Sequence, residues 1–269
     1  MHFYKLSALG QDYIFTDDNE EFGKLSREDI KLICDRTLGA GATGIFSIHQ
    51  KEAENTEIRA FYKSGEIMRE MSTASICAVL GLKMIKGKEI GEILSEKCRF
   101  FTCLSVCDDR SGLVSCESGR GGVSLFKDMC ERKTHLGNRI LTLTPVCTSG
   151  SYAVHFSGDA KSINLKYLAE KTNELTLFGK NTSLIVAEET GRNTFSLCRM
   201  LENEEYIVPF AGGFSAAAFA ACKTGRSRFG DELVLFCEDY KAYAVAKEDG
   251  SVTIHTQVSL AYEGCFMLK

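Results

Sequence analysis

The sequence has no apolar run near the ~18 residues that a membrane span needs, no cluster of basic residues and no CxxC pair. The opening MHFYKLSALGQDYIF lacks the basic stretch and long apolar core of a secretory leader. With a net charge of -4 and no basic patch, nucleic acid is excluded as the main partner, because phosphate neutralisation needs concentrated Lys and Arg. Twelve cysteines suggest a metal or disulfide framework until their spacing is read. Cys98, Cys103 and Cys107 are too irregularly spaced for a zinc knuckle, and most of the others sit in apolar patterns. They read as buried thiols in a reducing compartment. The five histidines are scattered singly. A cytoplasmic protein with no membrane contact, no metal and no cofactor is expected.

What is present is apolar and duplicated. With 44% hydrophobic residues in 269, the chain can bury the cores of two domains. In residues 202–226, ENEEYIVPFAGGFSAAAFAACKTGR, an apolar strand passes through the small residues Ala211, Gly212 and Gly213 into an apolar helix. Such a turn bares the first helical N–H groups, which with the helix dipole suit a carboxylate or phosphate. Close helix packing explains the same glycines. A second copy lies at 70–88, where Ser72, Thr73, Ala74 and Ser75 precede the helix. Helices opened by Ser26 and Ser162, the strands that follow them, and Gly10 and Gly150 before two further strands extend the correspondence. A period this long indicates two similar domains.

In chain order, residues 2–8 and 12–16 read as a hairpin. Ser26 caps a helix through Arg36, with Asp29 as its capping-box acid. The GxGxxG match at 39–44 has the wrong polarity for a dinucleotide site, since a helix precedes it and a strand follows. Hairpins are expected at 57–62 with 66–71, at 98–107 with 112–116, and over 195–210; the glycine-rich 117–122 reads as the connection between domains. Helices 76–82 and 214–222 are apolar nearly all round and must be enclosed. The expected architecture is α+β: two pseudo-symmetric domains, residues 1–119 with 259–269 and 120–258, each a curled, largely antiparallel sheet around a central helix, with the two helix N-termini facing one cleft.

The opening, the segment CDRTLGAGATGIF, the segment SGEIMREMS and the ending AYEGCFMLK together resemble the diaminopimelate epimerase family, a lysine-biosynthesis family, over essentially the whole chain. The resemblance implies two such domains holding an amino-acid substrate between two helix N-termini. It also implies one cysteine per domain, the pair removing and returning the α-proton without cofactor. Here both thiols are replaced. Counting back from Lys86 and Gly87 puts the first on Ser72; counting forward from Gly65 puts it on Met71. The second falls on Ala211, followed by the family's glycine at Gly212. Asparagines of the family become Gln11, Tyr62 and Ser151, its Glu-Arg pair becomes Glu202 and Asn203, and Asn181 and Glu202 are kept.

A thiol at a helix N-terminus has its pKa lowered from ~8.5 toward ~3.5–7.5, whereas serine needs an adjacent base and alanine carries no proton. The residues therefore point to a non-catalytic relative that binds a small amino-acid-like or anionic ligand, with a homodimer compatible. The alternative is a cofactor-independent isomerase using Ser72, Glu70 or a carboxylate such as Glu204 or Glu205. Ligand-binding candidates are Gln11, Thr73, Ser151, Asn181, Glu202, Asn203, Gly212 and Gly213.

Overall fold

A computed structural model describes residues 1–50, 56–87, 91–94, 99–108, 110–136, 139–159, 163–174, 182–200 and 210–267. The protein is mostly β with few helices, and the chain divides into two compact units, Met1–Cys116 with His255–Lys269, and Glu117–Ile254.

The first unit opens with β1 (His2–Ala8) and β2 (Gln11–Thr16), an antiparallel pair whose two-residue loop, Leu9 and Gly10, has positive φ at both positions. That loop geometry matches the twist of a tight hairpin. Helices α1 (Asn19–Lys24) and α2 (Arg27–Cys34) then carry the chain to β3 (Gly44–Gln50), parallel to β2. The Ser26 capping box forms: the Asp29 N–H donates to Ser26 Oγ at 3.1 Å and the Ser26 N–H to Asp29 Oδ2 at 2.9 Å. The helix stops at Cys34 rather than Arg36, because the Asp35 carboxylate takes the N–H groups of Thr37 and Leu38 and turns the chain.

β4 (Thr56–Tyr62) is antiparallel to β3; α3 (Ser72–Lys86) leads to β5 (Glu92–Leu94), parallel to β4. Then come β6 (Arg99–Cys107) and β7 (Ser111–Ser118). The last strand, β16 (Val252–Cys265), neighbours both β7 and β1 and closes a barrel of eight strands. Residues 66–71, expected as a strand, make one bridge, Phe61 with Ile67, and then leave the sheet. Beyond it the Glu70 N–H donates to the Tyr62 hydroxyl at 3.3 Å instead of to a strand carbonyl.

Alternation sorts the barrel's two faces. Ile14 and Ile45 face outward and pack with Phe22, Ile30 and Ile33 of α1 and α2. Phe15 faces inward, where it stacks on Phe46 at 5.1 Å and meets Gly81 of α3. α3 is buried from Ser72 to Leu82.

In the second unit, β8 (Ser124–Leu125) and β9 (Arg132–Leu136) both pair with β10 (Arg139–Cys147). β11 (Ser151–Phe156) is antiparallel to β10 and parallel to β12 (Ser183–Gly191), which follows α4 (Leu165–Glu174). Ser162 lies outside the described residues; the side chain capping α4 is Asn164, whose Oδ1 accepts the Tyr167 N–H at 3.1 Å. β13 (Thr194–Met200) is antiparallel to β12 and parallel to β14 (Glu232–Cys237), which follows α5 (Ala211–Lys223); of the hairpin expected over 195–210, residues 201–209 lie outside the described residues. β15 (Tyr240–Ala246) completes the run before β16. Every residue of α5 from Ala211 to Cys222 is buried, as a helix with no polar face requires. Among the described residues no helix is long and apolar enough to cross a membrane.

Candidate functional site

In the first unit the chain brings its polar candidates to the start of α3. Glu70 is 6% exposed, Ser72 5% and Thr73 fully buried. The Ser72 hydroxyl donates a very short hydrogen bond to Glu70 Oε1, and the Ser72 N–H donates to the same oxygen at 3.2 Å. A carboxylate is favoured where first-turn N–H groups point outward and the helix dipole is positive. Here the chain supplies that carboxylate itself. Ser72 is the first residue of α3, so Ser72 to Ser75 form its first turn rather than a strand end.

Gln11, also buried, begins β2 and alternates there with Tyr13 and Phe15. Phe15 lies against Gly81, and Tyr13 feels the Cys77 thiol one helical turn earlier. Tyr13 was not singled out from sequence, although its parity with Gln11 and Phe15 on β2 is the signal that could have found it. Burial holds its phenol well above its ordinary pKa, with Glu70, Cys77, Tyr62 and Asp12 adding to the rise.

The thiols nearby are poor bases. Burial pushes Cys116 up to about 12, with Glu70 adding, and raises Cys77 as well. In the second unit burial pushes Cys222 up to about 11. None is a thiolate at neutral pH.

At the start of α5, Ala211, Gly212 and Gly213 are the helix's first three residues, not a turn before it. Phe210 is the N-cap residue, its carbonyl accepting the Gly213 N–H at 2.8 Å. No acidic residue lies in the first turn, and the Ser215 hydroxyl donates back to the Ala211 carbonyl at 3.1 Å. Beside Phe210 stands a residue the sequence reading missed. The guanidinium of Arg199, 3% exposed, lies 5.0 Å from the Phe210 ring centre and donates to Ser183 Oγ through Nε and Nη2 at 3.3 and 3.1 Å. Its signal was parity: Phe195, Leu197 and Arg199 are the buried alternation of β13. Ser151, half-buried, begins β11 and pairs with Cys147. Asn181, Glu202, Asn203, Glu204 and Glu205 lie outside the described residues.

The GxGxxG segment serves a different purpose from phosphate binding. A side chain at Gly39 would stand 2.0 Å from the Leu32 carbonyl, Gly41 has a φ of +65°, and Asp12 Oδ1 accepts from the N–H and Oγ1 of Thr43, both at 3.0 Å. These residues turn the chain from α2 into β3. Among the described residues no three His, Cys, Asp or Glu side chains converge as metal ligands would.

No family model matches the sequence, and no curated protein matches it. Solved structures do. A predicted epimerase from Pseudomonas aeruginosa matches with a TM-score of 0.74 at 12% identity, covering 100% of this chain and 99% of that one. A probable proline racemase from Agrobacterium radiobacter matches at 0.71 and 10%, covering 100% and 93%. A Bacillus anthracis phenazine biosynthesis protein of the PhzF family matches at 0.64 and 11%, covering 100% and 99%. At such identities the likeness is one of fold.

Proposed function

We propose that this protein is a non-catalytic relative of the cofactor-independent amino-acid epimerases and racemases, one that retains a site for a small amino-acid-like ligand. The names carried by structures of the same fold, an epimerase and a racemase, support the class. The sequence resemblance to diaminopimelate epimerase supports the narrower relation. The succession of pairings supports the duplication behind it, since in each unit an antiparallel pair is followed by a parallel one across a helix, twice over.

The observation that carries the reading is the start of α5. Inverting a carbon centre requires a proton carrier on each face of the substrate. Ala211, Gly212 and Gly213 offer no ionisable atom there, and among the described residues the charge beside Phe210 belongs to Arg199, which does not deprotonate in proteins. One observation favours a second reading. The short Ser72–Glu70 hydrogen bond is the arrangement by which a carboxylate activates a hydroxyl, so a one-base isomerase working from the α3 end alone is the alternative.

Incubation with diaminopimelate and common amino acids in deuterated water, followed by NMR, separates the two. We expect no protein-dependent α-deuteration. Deuteration abolished by Ser72→Ala or Glu70→Gln would replace the non-catalytic reading with the one-base isomerase.

A further inference from the structure

The hairpin of β9 and β10 leaves one strand edge of the second unit open. Among the described residues β9 pairs with β10 alone. Leu136 pairs with Arg139, and only two residues separate them in the sequence, so they are the hydrogen-bonded pair that closes the hairpin. Bonding alternates along an antiparallel ladder. Arg132 and Thr134 therefore turn their backbone groups to β10, while the N–H and C=O groups of Lys133 and His135 point away from it and have no backbone partner among the described residues. The side chains sort on the same alternation. Thr134 and Leu136 are buried, Leu136 in one cluster with Leu141, Leu143 and Leu168 of α4. Lys133 and His135 are exposed and share a face with Ile140, which is 61% exposed.

The hairpin's charges have one sign. Arg132, Lys133 and Arg139 are exposed, and the sequence has no Asp or Glu from 132 to 158. Glu131, just before β9, is matched by Arg226 at 3.1 Å. An open edge is a template for any extended chain, and here charge chooses among them. A second copy laid along β9 would oppose cation to cation, which is destabilising across paired strands. Three cations are too few to neutralise a nucleic acid.

We propose that β9 is a docking edge for an extended acidic segment of another protein, which adds as a strand on the Lys133 and His135 backbone with carboxylates beside Lys133 and apolar residues beside Thr134 and Leu136. Strand addition draws affinity from the main chain and specificity from alternate side chains. The inference is independent of any ligand at α3 or α5.

Fluorescence anisotropy of a short capped peptide alternating Glu and Val, titrated with the full chain, tests it. We expect saturable binding that weakens with salt, and none of a peptide alternating Lys and Val. His135→Pro removes one outward N–H without touching the ladder to β10, and it should weaken binding about fivefold, the scale of one hydrogen bond. Lys133→Glu, at an exposed position, should weaken it about tenfold. Circular dichroism checks folding, and Lys133→Glu carries the test if His135→Pro does not fold. Equal binding of a peptide with the same Glu and Val in two blocks would mean that charge acts without strand addition, and binding unchanged in both variants would place it elsewhere; either result overturns the inference. A wild-type dimer that His135→Pro dissociates in sedimentation would give the edge to a second copy and overturn it too. No binding of the Glu and Val peptide would leave Lys133 as a guard against aggregation and the inference refuted.

Discussion

Asp12 shows how a single side chain fixes a loop that resembles a nucleotide motif. Burial alone would raise its pKa, but hydrogen bonds from Arg36 and Lys5 outweigh this and hold the carboxyl below its ordinary range. Arg36 binds it through both terminal nitrogens, at 2.8 and 2.9 Å, and Lys5 Nζ lies 3.1 Å away. Because the folded-state value lies below the unfolded one, the stabilisation is complete above the unfolded value of ~4 and is lost as pH falls through the folded value. Urea melts from pH 6 downward should therefore show wild type losing an increment that Asp12→Asn lacks at every pH. At neutral pH the variant should be less stable by about 2 kcal/mol, nearer the lower end for charged hydrogen bonds because Arg36 is half exposed. An Asp12→Asn profile parallel to wild type would remove the ion cluster from the account of the loop.

Among the elements, α3 has little room to change at Gly81. A methyl at Gly81 would stand 2.6 Å from Phe15 Cδ1 and 3.0 Å from Leu6 Cδ1. Phe15 is itself stacked on Phe46. Alanine gains up to ~1 kcal/mol of helix propensity over glycine, while overpacking costs ~1–3 kcal/mol. Gly81→Ala should thus destabilise by about 1–2 kcal/mol in denaturant melts; a stabilised variant would mean that Phe15 yields freely. Sequence made such elements legible where the cause is local. The Ser26–Asp29 capping box, the two-residue β1–β2 loop and the enclosure of α5 all follow from neighbours in the chain. It failed where the deciding partner is remote. Whether 66–71 stays in the sheet depends on the Tyr62 hydroxyl, a partner on β4. The parity of Tyr13 and Arg199 marks them as buried, yet only the fold says that Arg199 meets Phe210 and Ser183.

For the whole molecule, the decisive strand is β16. It pairs with β1 from His2 opposite Cys265 to Ala8 opposite Val258, and the Met1 amine donates to the Phe266 carbonyl at 2.9 Å. A chain stopped after Gln257 should lose amide-exchange protection throughout β1, while β12 and β13 of the second unit, whose partners are untouched, keep theirs. Protection retained in β1 would show that the barrel does not depend on its last strand. The two buried helices with small-residue starts were legible, but ring closure between β1 and β16 was not, because no local pattern names a strand's far partner. That closure also orders events during synthesis. The second unit lies on one continuous stretch and can complete itself as it emerges. The unit made first must wait for the strand made last, and at ~5–20 residues per second the delay after β7 is roughly 7–30 s. Throughout it β1 presents an unpaired edge of the kind that recruits foreign strands, so the nascent chain is most exposed to misassembly, and most in need of a chaperone, at its oldest end.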